Sequence, residues 1–278
     1  MGSWVKRELN TLGIPPLKRF AQHFLIDRKI RQIMIDTAQL EATDTVVEVG
    51  PGLGFVTTAL TSKQCHVITI EKDRTLANYL KNKFPSDKNI TVLQGDALEM
   101  HIPDHSKIVA SPPYNISSKL ILSILESKFK LAVLLLQDEF VDRLTAPVGS
   151  RDYGRLTVTI QSKAHAERII GVPRSAFYPS PKVDSAIVLI EPRMPDPPIK
   201  DPTIFNDLTR SLFTQRRRIL RGVLTKYLKR TYPAELNHIL SRVTFLERRI
   251  LNIAPSELID LSNLVYKVRI ENERVKDN

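Results

Sequence analysis

From residue 45 onward the chain alternates short apolar runs with helix-like segments. T-V-V-E-V-G (45–50) reads as a buried strand and F-V-T-T-A-L (55–60) as the start of a helix. H-V-I-T-I-E (66–71) is a second strand and R-T-L-A-N-Y-L-K (74–81) a second helix. I-T-V-L-Q-G-D (90–96), K-I-V-A-S (107–111) and L-A-V-L-L-L-Q (131–137) continue the series. Strands and helices joined by short links predict a parallel sheet covered by helices on both faces. V-D-S-A-I-V-L-I (183–190) predicts a late strand, placed as an antiparallel edge. The first forty residues are basic and mixed. Within them, P-P-L-K-R-F-A-Q-H-F-L (15–25) leads into a stretch with Ile30, Ile33, Met34 and Ala38 at helical spacing.

The pattern breaks at E-P-R-M-P-D-P-P-I-K-D-P (191–202), where five of twelve residues are proline. Such a segment predicts a stiff linker and a domain boundary. Beyond it 207–213, 217–228, 235–240 and 256–268 all show helical periodicity. The expected division is an α/β domain over 1–195 and a small all-helical domain over 196–278. No internal repeat stands out.

Composition narrows the classes. The 278 residues carry 41 Lys plus Arg against 30 Asp plus Glu, a formal charge of +11 that suits an anionic partner such as nucleic acid. A single cysteine, Cys65, excludes an intramolecular disulfide and a Cys-based zinc site, and fits a reducing, cytoplasmic setting. The six histidines show no ligand spacing, so no metal is expected. The longest purely apolar run, Leu131 to Leu136, is far below the roughly 20 residues of a membrane span. The N-terminus shows no apolar core of a secretory signal, so none is expected.

Candidate chemistry clusters at the predicted carboxyl ends of strands, where open α/β sheets bind ligands. E-V-G-P-G-L-G places Gly50, Gly52 and Gly54 at the first strand-to-helix turn, where glycine allows positive φ and close ligand approach. The spacing is G-x-G-x-G, with Thr57 where a G-x-G-x-x-G fingerprint has its third glycine, which argues against a dinucleotide. Glu71 ends the second strand 21 residues after Gly50, placed to accept the ribose hydroxyls of an adenosine. Asp96 ends the third strand, placed to accept from an exocyclic amine.

Ser111-Pro112-Pro113-Tyr114 ends the fourth strand, beside the same turn. The tetrapeptide resembles the signature of S-adenosylmethionine-dependent amino methyltransferases acting on adenine or cytosine. That resemblance implies an exocyclic amine as target, a poor nucleophile because its lone pair is delocalised into the ring. Acceptors at residue 111 and at the Pro112 carbonyl would bind the amine hydrogens and favour a pyramidal nitrogen. Tyr114 would stack on the base.

The resemblance then extends along the chain. R-F-A-Q-H-F-L-I-D (19–27), V-E-V-G-P-G-L-G (47–54), S-P-P-Y-N-I-S-S-K-L (111–120), Y-G-R-L (153–156), V-P-R-S-A-F-Y-P-S-P-K-V-D-S-A-I-V (172–188) and F-T-Q-R-R-R-I-L-R (213–221) resemble the small-subunit ribosomal RNA adenine N6,N6-dimethyltransferases. The resemblance implies a Rossmann-like S-adenosylmethionine-dependent methyltransferase sheet with a small C-terminal all-helical domain. It implies methyl transfer to N6 of two adjacent adenosines in the 3′-terminal hairpin of small-subunit rRNA, in ribosome biogenesis, by a monomer with no membrane attachment. It further implies that His23, Leu25, Gly50, Gly52, Glu71, Asp96 and Ser111 line the cofactor site. Ser111, Pro112 and Tyr114 would face the target amine and base, with Phe177 on the base's other face; read from the residues alone, Phe177 and Tyr178 also fit core anchors. The family more often carries Asn-Leu-Pro-Tyr, so the shorter Ser111 leaves the number of methyl groups open. His23, where bacterial members tend to carry Asn, leans toward an archaeal or eukaryotic-type relative.

Residues 210–230 hold eight Lys or Arg and no acid. On a helical wheel Leu220, Val223, Leu224 and Tyr227 share one face, and Arg217, Arg218, Arg221 and Lys229 the other. Arg216, Arg217, Arg218, Arg221 and Lys229 are the expected phosphate contacts, with Lys18, Arg19, Arg28 and Lys29 extending the track. Three other readings stand beside this one: a large-subunit rRNA adenine methyltransferase, a DNA amino methyltransferase, and an assembly or transcription factor that binds RNA with little catalysis.

Overall fold

The computed structural model describes residues 2–13, 23–85 and 89–276. Lys18, Arg19 and Gln22 lie outside the described residues. The elements run α1 (Gly2–Thr11), β1 (Phe24–Leu25), α2 (Arg28–Thr37), β2 (Thr45–Val49), α3 (Phe55–Thr61), β3 (His66–Glu71), α4 (Arg74–Lys83), β4 (Ile90–Gln94) and β5 (Lys107–Ala110). There follow α5 (Ser117–Ile124), β6 (Leu131–Gln137), α6 (Asp138–Thr145), α7 (Arg155–Gln161), β7 (Ala164–Val172), β8 (Phe177–Tyr178) and β9 (Ser185–Pro192). The chain ends with α8 (Pro202–Phe213), α9 (Leu220–Thr231), α10 (Leu236–Arg242) and α11 (Pro255–Lys276). No helix among the described residues is long and apolar enough to cross a membrane.

Among the described residues, seven strands form one sheet in the order β4-β3-β2-β5-β6-β9-β7. β2 pairs in parallel with both β3 and β5, β3 with β4, and β5 with β6. The chain therefore moves outward from β2 to β4 and returns to the other side of β2. This topological switch lies between β2 and β5, which is where such sheets open a ligand crevice. The strands are apolar because both faces are covered. Val46, Val67, Val109, Val133 and Ile187 are buried together with Met34 and Ile35 of α2 and Val56 and Leu60 of α3. Helix starts follow local chemistry. Asp27 accepts from the Lys29 and Ile30 amides, and Asp73 from those of Thr75 and Leu76, satisfying donors that a helix N-terminus leaves open.

Three expectations change here. The late strand β9 is antiparallel to β6, as expected, but it is not the edge: β7 lies outside it. β7 carries His165, Glu167 and Arg168 and is largely exposed, so its alternation is too polar to read as a strand. The basic N-terminus also contains α1, whose Val5 and Leu9 are buried with Phe24, Leu53 and Leu76. Trp4 meets Phe55 edge-on at 5.8 Å.

The third change is the division of the chain. It falls into one unit of 1–141 with 166–192, and a second of 142–165 with 193–278. The single cut expected near 195 misses the excursion 142–165. That excursion supplies Ala146, Tyr153 and Val158 to the helical core, beside Leu208, Leu212, Leu224 and Val265. Tyr153 is fully buried and donates its hydroxyl to the Ile253 carbonyl at 2.8 Å, so Y-G-R-L is a core anchor of the second unit. The proline-rich segment is tied down within the same unit. Lys200 N donates to Asn263 Oδ1, and Asn263 Nδ2 donates to the Pro198 carbonyl.

At the amino ends of β2 and β5, Lys107 Nζ lies 2.8 Å from Asp44 Oδ2 and 2.6 Å from the Gln39 carbonyl. Burial works against the Asp44 charge. Hydrogen bonds from Lys107, the Glu41 amide and Ser106 outweigh it and hold the carboxyl below the usual carboxylate range. Removing one partner strands a buried charge. Asp44→Ala is expected to lower stability by about 3–5 kcal/mol, read as a shift of the urea midpoint. A change under about 1 kcal/mol would show that the pair is not structural.

Candidate functional site

A cavity of about 470 Å³ opens at the β2/β5 switch point of the first unit. It is lined by His23, Leu25, Gly50, Gly52, Glu71, Asp96, Ser111, Pro112 and Tyr114, and also by Glu48, Phe24, Phe55, Lys72 and Ile116. The parallel register brings these together. β2, β3, β4 and β5 all point their carboxyl ends to one edge, so residues 50, 71, 96 and 111 converge although 61 positions of sequence separate the outer two.

The glycine turn is shaped by close approach. Gly50 and Gly52 have φ of +70° and +60°. A Cβ on Gly50 would meet Pro113 Cδ at 3.1 Å, and one on Gly52 would meet the Phe24 ring at 2.8 Å. Positive φ strains a side chain at both positions, and at Gly52 the Phe24 ring would also have to move. Glu71 stabilises the turn from β3: its Oε2 accepts from Gly52 N at 3.1 Å and its Oε1 from Asp73 N at 2.9 Å. Each oxygen keeps a second lone pair for a ligand hydroxyl. Burial pushes the Glu71 carboxyl up. Asp96, nearer solvent, is held below the usual range by Lys72, whose Nζ lies 2.6 Å from Oδ2.

Glu48 is the residue that reading the sequence missed. It is fully buried, lines the cavity, and accepts from Thr57 Oγ1 at 2.6 Å. Desolvation, with Glu71 nearby, pushes its carboxyl up to about 8. Within T-V-V-E-V it passed as part of a buried strand. The available signal was a lone acid flanked by valines in a buried strand.

Ser111 and Pro112 follow the end of β5, and Pro113 has φ −56°, ψ 133°. The Pro113 carbonyl accepts from Ile116 N. The Ser111 hydroxyl and the Pro112 carbonyl carry no protein hydrogen bond among the described residues, so two acceptors stand free at the cavity wall. Tyr114 follows, half-buried, with its hydroxyl 2.7 Å from Ser185 Oγ. His23 stacks on Tyr114 with centroids 5.7 Å apart and planes at 28°. The Pro179 carbonyl, 2.8 Å from His23 Nδ1, can only accept, so Nδ1 carries the proton.

Phe177 is not at the cavity. It is 3% exposed and packs in the sheet core with Leu25 and Ala176. The reason is register: β1 and β8 pair Leu25 with Phe177 and Phe24 with Tyr178. Side chains alternate in a strand, so Phe177 turns to the sheet core and Tyr178 to the cluster of Phe24 and Leu53. The ring found against Tyr114 is His23 instead.

The second unit carries the basic surface, and there the helical wheel fails in part. α9 starts at Leu220, so Arg216, Arg217 and Arg218 precede it. Leu220, Val223, Leu224 and Tyr227 do form its buried face. Residues 216–221 pair antiparallel with 246–251, centred on Ile219 opposite Arg249. R-R-I-L occurs on both arms, at 217–220 and 248–251, a short repeat that the sequence reading passed over. Arg216 is drawn inward: its Nη1 and Nη2 donate to the Tyr153 and Arg151 carbonyls. Arg221 is engaged by Glu247 at 2.6 Å. Arg217, Arg218 and Lys229 are exposed, as is Arg249, which only the pairing brings beside them. Arg28 and Lys29 are exposed in the first turn of α2, in the first unit.

A family profile described as ribosomal RNA adenine dimethylase matches residues 17–262. A probable ribosomal RNA small subunit methyltransferase A of Methanosarcina mazei is 35% identical over 255 residues, covering 91% of this chain and 94% of that protein. One from Pyrococcus abyssi is 36% identical, covering 94% and 96%. The crystal structure of a dimethyladenosine transferase from Plasmodium falciparum superposes with a TM-score of 0.80 at 28% identity, covering 88% of this chain and 98% of that one. That of a 23S rRNA methyltransferase, ErmE, gives 0.63 at 29% identity, covering 87% and 99%.

Two outcomes test the site. Gly52→Ala combines a positive φ with a clash against Phe24, so cofactor titration is expected to show at least tenfold weaker binding, while an unchanged affinity would mean the turn does not shape the pocket. Glu48 keeps its proton in the fold and loses it in the unfolded chain between pH 4.5 and about 8. Stability should therefore fall as pH rises through that window, by at most about 1.4 kcal/mol per unit. Glu48→Gln should flatten the fall in denaturation experiments at pH 5, 6.5 and 8; an unaltered slope would assign it to another group.

Proposed function

The chain belongs to the ribosomal RNA adenine dimethylase family, and on that premise we propose that its cavity serves methyl transfer to N6 of two adjacent adenosines in the 3′-terminal hairpin of small-subunit rRNA. It is an S-adenosylmethionine-dependent rRNA adenine dimethyltransferase of ribosome biogenesis, acting as a cytoplasmic monomer on the small subunit or its precursor. The observation that carries the reading is the pair of free acceptors, Ser111 hydroxyl and Pro112 carbonyl, beside Tyr114 in the same cavity as the glycine turn and Glu71.

The donor set fits the cofactor. Glu71 has spare lone pairs for two ribose hydroxyls, and Asp96 accepts from an adenine amine. Gly50 and Gly52 let the ligand touch backbone, and Leu25 and Phe55 supply apolar wall. Buried Glu48, protonated in the free cavity, would release its proton on meeting an amino-acid ammonium or a sulfonium and then balance that charge. When bound, S-adenosylmethionine supplies an electrophilic methyl group. The chain's own residues do the rest by positioning. Tyr114 stacks on an adenine flipped from its loop, at a cost of a few kcal/mol. Ser111 and Pro112 accept the amine hydrogens, aiming the nitrogen lone pair across the cavity. The methylated nitrogen is acidic and loses its proton to water, so no strong base is needed.

In the second unit Arg217, Arg218, Arg249 and Lys229 are the proposed phosphate contacts. Arg216 and Arg221 serve the fold or an ion pair instead. Exposed arginines on two paired arms bind phosphate with little sequence information.

Labelled methyl transfer to unmethylated small subunits, run beside large subunits and duplex DNA, tests the reading, with digestion and mass spectrometry to count methyls per adenosine. Label is expected in the 3′-terminal hairpin, mostly as dimethyladenosine, and Tyr114→Ala should lower the rate about 100-fold. Label in large subunits alone, or binding without label, would overturn it. Replacing Arg217, Arg218 and Arg249 by alanine should reduce the salt dependence of RNA binding by about one phosphate contact per residue. An unchanged slope would move the RNA surface elsewhere.

A further inference from the structure

Tyr114 is held at both ends. Its backbone follows two prolines, which fix φ and leave the chain little room to pivot. Its phenol oxygen lies 2.7 Å from Ser185 Oγ. Ser185 opens β9 opposite Gln137, the last residue of β6. Because β6 lies between β5 and β9, the hydrogen bond spans the carboxyl end of β6, from the loop after β5 to the start of β9. That start is fixed in turn. The Asp184 carbonyl accepts from Asp138 N, and Asp184 Oδ1 accepts from Arg174 N.

Ser185 is fully buried at the head of the apolar strand A-I-V-L-I, where a hydroxyl is costly unless paired. It pairs with Tyr114, a residue on the rim of the methyl-transfer cavity. A phenol ring anchored only through Cβ rotates about two torsions. One also held at its oxygen keeps a single tilt, and tilt decides where a stacked base presents its amine.

We propose that Ser185 is a positioning residue: its hydroxyl sets the plane of the Tyr114 ring, so that a stacked adenine delivers its amine to Ser111 and Pro112. The proposal rests on the methyl-transfer reading for its consequence, though not for the tether itself. Burial pushes the Tyr114 hydroxyl up, so the phenol stays neutral and able to hydrogen-bond across the working pH range. Ser185 lies within V-P-R-S-A-F-Y-P-S-P-K-V-D-S-A-I-V (172–188), a block whose resemblance assigns it no role.

The test uses the full chain with 3-fluorotyrosine at position 114, read by fluorine NMR without RNA, and the same chain with Ser185→Ala. A restrained ring in the parent and a shifted, narrower signal in the variant are expected. An unchanged signal overturns the tether, whatever the activity. Steady-state methylation then compares Ser185→Ala, Tyr114→Phe and the double variant. Each single change is expected to lower kcat about tenfold with cofactor affinity unchanged, and the double change to lower it about tenfold as well, because both remove the same bond. Losses that multiply to about a hundredfold, or weakened cofactor binding in Ser185→Ala, would overturn the positioning role. A tether present in an enzyme that transfers no methyl would count against the methyl-transfer reading alone.

Discussion

Parallel pairing of β2 with both β3 and β5 is the constraint on which the site depends. It sends the carboxyl ends of β2, β3, β4 and β5 to one edge and opens a crevice where the chain changes direction. The glycine turn, Glu71, Asp96 and the Ser-Pro-Pro-Tyr segment each follow one of those strands. None of them needs to find the others, because the sheet's register does so. The Asp44–Lys107 pair at the opposite ends of β2 and β5 ties the same two strands together away from the chemistry.

The cavity holds two buried acids, and burying them is costly. Glu48 and Glu71 are both buried, and both carboxyls are pushed up. Glu71 offsets its burial with two backbone N–H groups, and Glu48 has Thr57. A pocket that holds two such acids is pre-shaped for a ligand carrying hydroxyls and positive charge. On the other wall the chemistry is inverted: rigid prolines present bare acceptors, and a ring is fixed beside them. In the proposed function, the acids on one side would serve the cofactor and the fixed geometry on the other would orient the base.

The second unit shows how a chain shares itself between two cores. It leaves the sheet after 141, returns for β7, and leaves again after 192. Tyr153 anchors the excursion by packing and by its bond to Ile253. The two R-R-I-L arms obey the same economy of pattern. Leu220 and Ile250 turn inward, while the arginines before them remain on the surface.

Periodicity and turn chemistry act over a few residues, so they were legible directly. The strands at 45–49, 66–71, 90–94, 107–110 and 131–137, and the helices capped by Asp27 and Asp73, lie where the pattern predicts them. The cavity residues His23, Leu25, Gly50, Gly52, Glu71, Asp96, Ser111, Pro112 and Tyr114 were legible too, because each sits at a strand end or in a matching motif. Tertiary structure alone decided the rest. Phe177 and Tyr178 are adjacent aromatics, and only the β1–β8 register determines which one enters the core. Arg216 and Arg217 are adjacent arginines, and only the fold of 142–165 draws one inward. Glu48 and Ser185 look like strand residues until packing leaves one in the cavity and the other against Tyr114. Local pattern specifies the elements, whereas the direction and partner of a side chain depend on contacts between residues distant in sequence.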